Sequence, residues 1–94
     1  MSITKPKFPL GQLAATPGAI EAMQEAEQLP IDFLSRHARG DWGDVDEEDR
    51  DANDMALDHG YRILSAYTTA NGETLWIITE ADRSVTTILL PEEY

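Results

Sequence analysis

The stretch Tyr61–Leu90, YRILSAYTTANGETLWIITEADRSVTTILL, decides the fold. It divides into three apolar runs, YRILSAYTT, TLWIITE and SVTTILL, separated by two short polar segments. Runs of this length, rich in β-branched and aromatic residues and bounded by turn formers, are strand signals. Asn71-Gly72 is a hairpin signal, because both central residues of a type I′ turn need positive φ. A two-residue turn there pairs Tyr67 with Trp76, Ala66 with Ile77 and Ser65 with Ile78. Ala81-Asp82-Arg83-Ser84 lacks glycine and reads as a four-residue loop, which sets Ile77 beside Ile88 and Trp76 beside Leu89. The result is a three-stranded antiparallel meander with Leu64, Ala66, Leu75, Ile77, Ile88 and Leu90 on one face. Its other face carries Ile63, Tyr67, Trp76, Ile78 and Leu89. Both faces are apolar, unlike an antiparallel sheet with one side in water. Helices are expected to cover one, and the N-terminal arm, a further helix or a second subunit the other.

Working back from the strands, three short helices are predicted between residues 16 and 60. Thr16-Pro17-Gly18 is a start signal: the threonine hydroxyl can cap, and proline suits the first helical position. This helix is expected to run to about Gln28, with Ala19, Ile20, Met23 and Ala26 or Glu27 inward. Pro30 opens a second, IDFLSRHA, with Ile31, Leu34 and Ala38 on one face and Gly40 beyond its end. Arg36, His37 and Arg39 then complement the dipole at its last turn. Trp42, between charged neighbours, is expected to fold back onto the core. Asp44 or Asp46 caps a third helix, DEEDRDANDMALDH, closed by Gly60. Its apolar side is thin: Ala52, Met55 and Ala56, flanked by Val45 or Leu57. Residues 1–13 show no period, and Pro6 and Pro9 favour extended backbone. They read as an arm anchored by Phe8, Leu10 and Leu13. The fold class is α+β, one domain over residues 1–94: an arm, helices from 16 to 60, and the meander from 61 to 90.

Composition narrows the function. The chain has 94 residues and no cysteine, which excludes disulfides, thiolate metal sites and cysteine nucleophiles. No apolar run approaches a membrane span, and the first residues lack the apolar core of a signal peptide, so a cytoplasmic protein is expected. The net charge is −11. That argues against direct binding to nucleic acid or to anionic membrane, both of which need a basic patch. The charge is unevenly spread: residues 41–60 hold nine acids against Arg50, a net −8. Along the third helix Glu47, Asp51, Asp54 and Asp58 fall at i, i+4, i+7 and i+11, so they line one side. Like charges so spaced weaken a helix by about a few tenths of a kcal/mol per pair. Something other than local energetics maintains them.

Specific chemistries fail on inspection. An EF-hand loop beginning at Asp44 places Asp46 and Glu48 at ligand positions three and five. It has Asp49 where glycine is required and Met55 where the closing glutamate belongs. A loop beginning at Asp41 fails as well. His37 and His59 sit in no zinc pattern and suit helix C-termini. No nucleophile elbow, phosphate-binding glycine loop or dinucleotide fingerprint is present. No catalytic residue, cofactor or metal is therefore expected.

Three segments, FPLGQLAATPGAIEAM, RHARGDWGDVDEEDRDAND and LWIITEADRSVTTILLPEEY, carry a resemblance over nearly the whole chain. It is similar to a family of small acidic proteins from plasmids and integrated mobile elements of bacteria, and the closing ITEADRSVTTILLPEEY is its most specific part. Members carry loose labels, among them "plasmid-related protein" and a restriction methylation subunit. The second label fails physically, since 94 residues without a glycine-rich cofactor loop cannot hold a methyl-donor domain. The resemblance implies no activity and no functional residues.

The expected function is that of a non-enzymatic binding protein. Its working surface is the acidic face of Asp44, Glu47, Asp51, Asp54 and Asp58, and its partner a protein with a basic surface. In a mobile element, one version is an inhibitor of a host defence or DNA-processing enzyme whose carboxylates imitate backbone phosphates. The alternative is a structural or regulatory module that forms a homodimer through Ile63, Tyr67, Trp76, Ile78 and Leu89, with charge serving solubility alone.

Overall fold

A computed structural model of the chain describes residues 5–94. The three expected helices form, as α1 (Pro17–Glu25), α2 (Pro30–Ala38) and α3 (Glu47–His59). Thr16 caps α1, its Oγ1 accepting from the Ala19 N–H at 3.2 Å. Asp32 of α2 reaches back to the Leu29 N–H at 2.8 Å, half of a capping box.

The sheet has four strands and is mixed: β1 (Gln12–Ala15), β2 (Ile63–Thr68), β3 (Thr74–Thr79) and β4 (Val85–Leu89), in the order β1-β4-β3-β2. The three C-terminal strands are antiparallel, as their patterning predicts. The expected arm corrects to an added strand, because β1 pairs parallel with β4. Four residues with no charge and no alternation leave too little pattern to mark a strand. Gly11 permits the approach: its φ is +67°, and a Cβ there would lie 2.4 Å from the Arg83 and Ser84 carbonyl oxygens. Of the expected anchors, Phe8 is buried and Leu10 half-buried, but Leu13 is 52% exposed. Residues 1–4 of the arm lie outside the described residues.

The first hairpin is one residue out of the expected register. Tyr67 pairs with Leu75, Ala66 with Trp76 and Ser65 with Ile77. Gly72 has φ +85° but Asn71 is not in the positive-φ region. The loop is therefore a turn closed by Gly72 N–H to Thr69 C=O, followed by a left-handed glycine, in place of a type I′ turn. That extra residue slides β2 by one position, which turns every β2 side chain to the other face. The second loop keeps the expected register, with Trp76 opposite Leu89 and Ile77 opposite Ile88.

Two apolar clusters result. On one face α1 and α2 bring Ala19, Ala22, Met23, Phe33 and Leu34 against Tyr67, Leu75, Ile77 and Ile88. Ala22 replaces the expected Ile20 on the inner side of α1, and Ile20 is 41% exposed. The second cluster wraps the outer edge of β2: Phe8, Trp42, Val45, Ala56, Ile63 and Ala66, with Leu10, Leu57, Leu64 and Trp76 half-buried around them. Trp42 is folded in as predicted. Gly43 bridges Ala66, and a Cβ on Gly43 (φ +76°) would lie 2.0 Å from the Ala66 carbonyl oxygen.

The slip also dissolves the expected dimer face. Ile63 and Tyr67 point to the face of Leu75 and Ile77, while Trp76, Ile78 and Leu89 lie on the opposite one. Ile63, Tyr67, Ile78 and Leu89 are all buried within the chain. Only Trp76 is half-exposed, with Tyr94 edge-on to its ring at 5.8 Å. Among the described residues, no helix is long and apolar enough to cross a membrane.

Candidate functional site

The acidic helix is assembled from strong local signals. The Asp46 carboxylate caps α3, accepting from the Asp49 N–H at 2.8 Å. Glu47, Glu48 and Asp49 fill its first turn, where the dipole favours negative charge. Gly60 closes it in the left-handed conformation. Arg83, itself left-handed at φ +61°, lays its guanidinium on the far end, donating to Ala56 O at 3.0 Å and Tyr61 O at 2.7 Å.

α3 is attached to the sheet through polar groups more than through apolar ones. Only Asn53 and Ala56 of its thirteen residues are buried. The Asn53 amide donates to Leu64 O at 2.7 Å and accepts from the Leu64 N–H at 3.2 Å. One side chain thus takes the place that a neighbouring strand would occupy on β2. Trp42 Nε1 donates to Asp54 Oδ1 at 2.9 Å, and Thr68 Oγ1 donates to Asp44 Oδ2 at 2.8 Å. The expected inner side of the helix is corrected: Ala52 and Met55 are exposed, Met55 by 56%. The Asn53 clasp rotates the helix so that the polar amide faces the strand.

Asp44, Glu47, Asp51, Asp54 and Asp58 are all exposed. From Glu47 to Asp58 the row runs about 16 Å at the helical rise. Two of its members are held in place, Asp44 by Thr68 and Asp54 by Trp42, while keeping their carboxylates at the surface. The one ion pair among the described residues is Arg36–Asp41 at 2.7 Å, which does not involve the row. That guanidinium, hydrogen-bonded to Asp41, holds the Asp41 carboxyl below its ordinary range. Arg50, on the same helix, instead reaches the Val45 carbonyl at 3.5 Å. Among the described residues no three His, Asp or Glu side chains gather as a metal site.

A polar cluster that sequence reasoning missed lies between α2 and the sheet. His37 is fully buried, with Nδ1 at 2.5 Å from Ser65 Oγ and Nε2 at 2.8 Å from Thr79 Oγ1. Thr79 Oγ1 meets Thr86 Oγ1 at 2.7 Å, and Thr86 donates to Leu10 O at 2.6 Å. Each hydroxyl has one proton, so the last bond fixes all the others. Thr86 gives its proton to Leu10, Thr79 to Thr86, the His37 Nε2–H to Thr79, and Ser65 to Nδ1. The imidazole is neutral, and burial, aided by the Arg83 charge, lowers its pKa to about 3. The expectation that His37 serves the α2 dipole as a cation is overturned. Ser65 and His37 hold the atoms of a nucleophile and base, but both are at 0% exposure between packed layers. The cluster clasps the arm to the sheet. Its signal was present: His37 continues the inward positions Phe33 and Leu34 by helical spacing.

Comparison with family models, with curated proteins and with solved structures finds no match to the chain. The acidic helix must be interpreted from its own geometry.

Proposed function

We propose that this is a non-enzymatic binding protein that engages a basic surface on a protein partner through the outward side of α3. The observation that carries the reading is the row from Asp44 to Asp58, exposed along its length and paired with no cation among the described residues. Helix capping, the Asn53 clasp and the Trp42–Asp54 bond secure α3, and among the described residues Glu47, Asp51 and Asp58 make no side-chain hydrogen bond or ion pair that would account for them. A net charge of −8 over residues 41–60 raises the on-rate for a cationic partner and repels anionic ones. In its most specific form, the row imitates one strand of a nucleic acid and inhibits a host defence or DNA-processing protein. Charges on one helix side recur about every 5 Å, within a factor of two of the axial spacing along one nucleic-acid strand. The resemblance to proteins of plasmids and mobile elements supports that form.

The test is a low-salt capture from bacterial extract on immobilised protein, run beside E47Q/D51N/D54N/D58N. Partners retained by the wild type, released by salt, displaced by duplex DNA and not held by the folded variant support the reading. Equal retention by the two proteins overturns it.

A further inference from the structure

The two edges of the sheet are finished in opposite ways. On β2 the outward groups of Ala66 are taken by Trp42 O at 3.1 Å and by the Asp44 N–H at 2.7 Å. Those of Leu64 are taken by Asn53. On β1, Gln12 N–H donates to Ser84 O and Thr16 N–H to Ile88 O. Alternation then turns the N–H and C=O groups of Leu13 and Ala15 away from β4, and among the described residues nothing meets them. Leu10–Thr16 contains no charge and no proline, so this edge is guarded by neither and only by the shortness of β1. Beside the strand lies an apolar groove of about 190 Å³ formed by Leu13, Ala14, Ala15, Pro30, Leu34 and Ile88.

We propose that β1 pairs with β1 of a second copy of this chain, antiparallel about a two-fold axis at Ala14, to make one continuous eight-stranded sheet. In that register Leu13 of each copy bonds Ala15 of the other through both of its backbone groups. Each exposed Leu13 side chain enters the other copy's groove on the same face. The small Ala14 side chains face each other on the axis, where two strands approach most closely. Charge leaves this edge open to a second copy. At a net −11, most of the surface repels its own kind, but the residues of this edge are uncharged. The Glu93 carboxylate at its Thr16 end is already hydrogen-bonded to Thr16 and the Gly18 N–H, and the acidic helix lies beyond β2, at the far side of the sheet. With β2 outermost on both sides, the two β2 strands stand seven strand spacings apart, about 34 Å, and the acidic helices beyond them stand farther apart still. That is several screening lengths at physiological salt, so each row stays free in the dimer.

The chain has no cysteine, so a single introduced one reports the register. Oxidised A14C should cross-link to a dimer, since non-hydrogen-bonded antiparallel pairs lie within disulfide reach. L13C and A15C should not cross-link alone, but should do so when mixed. Sedimentation equilibrium should give twice 10.5 kDa for the wild type. A14K, which sets two ammonium groups against each other, should raise the dissociation constant at least about 100-fold with the same circular dichroism. A monomeric wild type overturns the proposal, as does a dimer that survives A14K or an A14C that cross-links no faster than L13C.

Discussion

α1 and α2, packed on one face of the sheet, and α3, set along its β2 edge, are held by different forces. The first pair is fastened by Met23, Phe33 and Leu34 pressed onto Tyr67, Leu75, Ile77 and Ile88. α3 buries one alanine and one asparagine, and it is kept in place by the Asn53 amide, the Trp42–Asp54 bond and the Arg83 guanidinium. The difference teaches where freedom lies in this chain. Oily attachment constrains every inward residue of α1 and α2, whereas a few directed hydrogen bonds fix α3 and leave most of its surface unconstrained. An acidic row can be maintained there because, Asp54 apart, the attachment of α3 does not run through it.

Breaking the oily side should have the largest effect. Ile77→Ala removes a fully buried side chain from the centre of the sheet and should cost about 2–5 kcal/mol in urea unfolding. A loss below about 1 kcal/mol would contradict the placement of the core.

His37, on α2, ties that side to the arm, and it makes the fold acid-sensitive. Its folded pKa, about 3, lies below its unfolded value of 6.5. The unfolded chain therefore binds the proton first. Stability from the neutral ring is complete above about pH 6.5 and falls by about 1.4 kcal/mol per pH unit toward pH 3. Asp41, with a lowered folded pKa, acts in the same direction in more acid solution. The check is the His37 ring resonance in NMR, expected to stay at its neutral position down to about pH 4. Titration near 6.5 would mean that the ring is not sealed.

On the α3 side, Asn53→Ala strands the Leu64 N–H and C=O and should cost about 2 kcal/mol, with amide exchange at Leu64 speeding up first. If exchange there is unchanged, α3 is held by something other than the clasp. The smallest effect belongs to the row itself. E47Q/D51N/D54N/D58N relieves like charges and should leave stability within about 1 kcal/mol of the wild type, with any change upward.

Much of this architecture could be read directly. Thr16-Pro17, Pro30, Asp46 and Gly60 mark the helix ends, and the apolar runs mark β2, β3 and β4. The failures share one cause, decisions made by single residues over long range. Whether Asn71 adopts positive φ sets the register of β2, and no local pattern reveals it. β1 becomes a strand only because β4 is there to pair with. Asn53 turns inward because Leu64 lies within reach, so a polar residue occupies the inner face where periodicity selects Met55. Exposure of the acidic row was legible from spacing alone, whereas its anchoring through Trp42 and Thr68 was not.

The most direct test of the central claim is the affinity of a captured basic partner, measured for the wild type and for E47Q/D51N/D54N/D58N across a salt series. If the acidic side of α3 is the working surface, wild-type affinity falls at least about tenfold between roughly 50 and 200 mM salt, and the variant shows neither the affinity nor the slope. Equal, salt-insensitive binding by both proteins would contradict it.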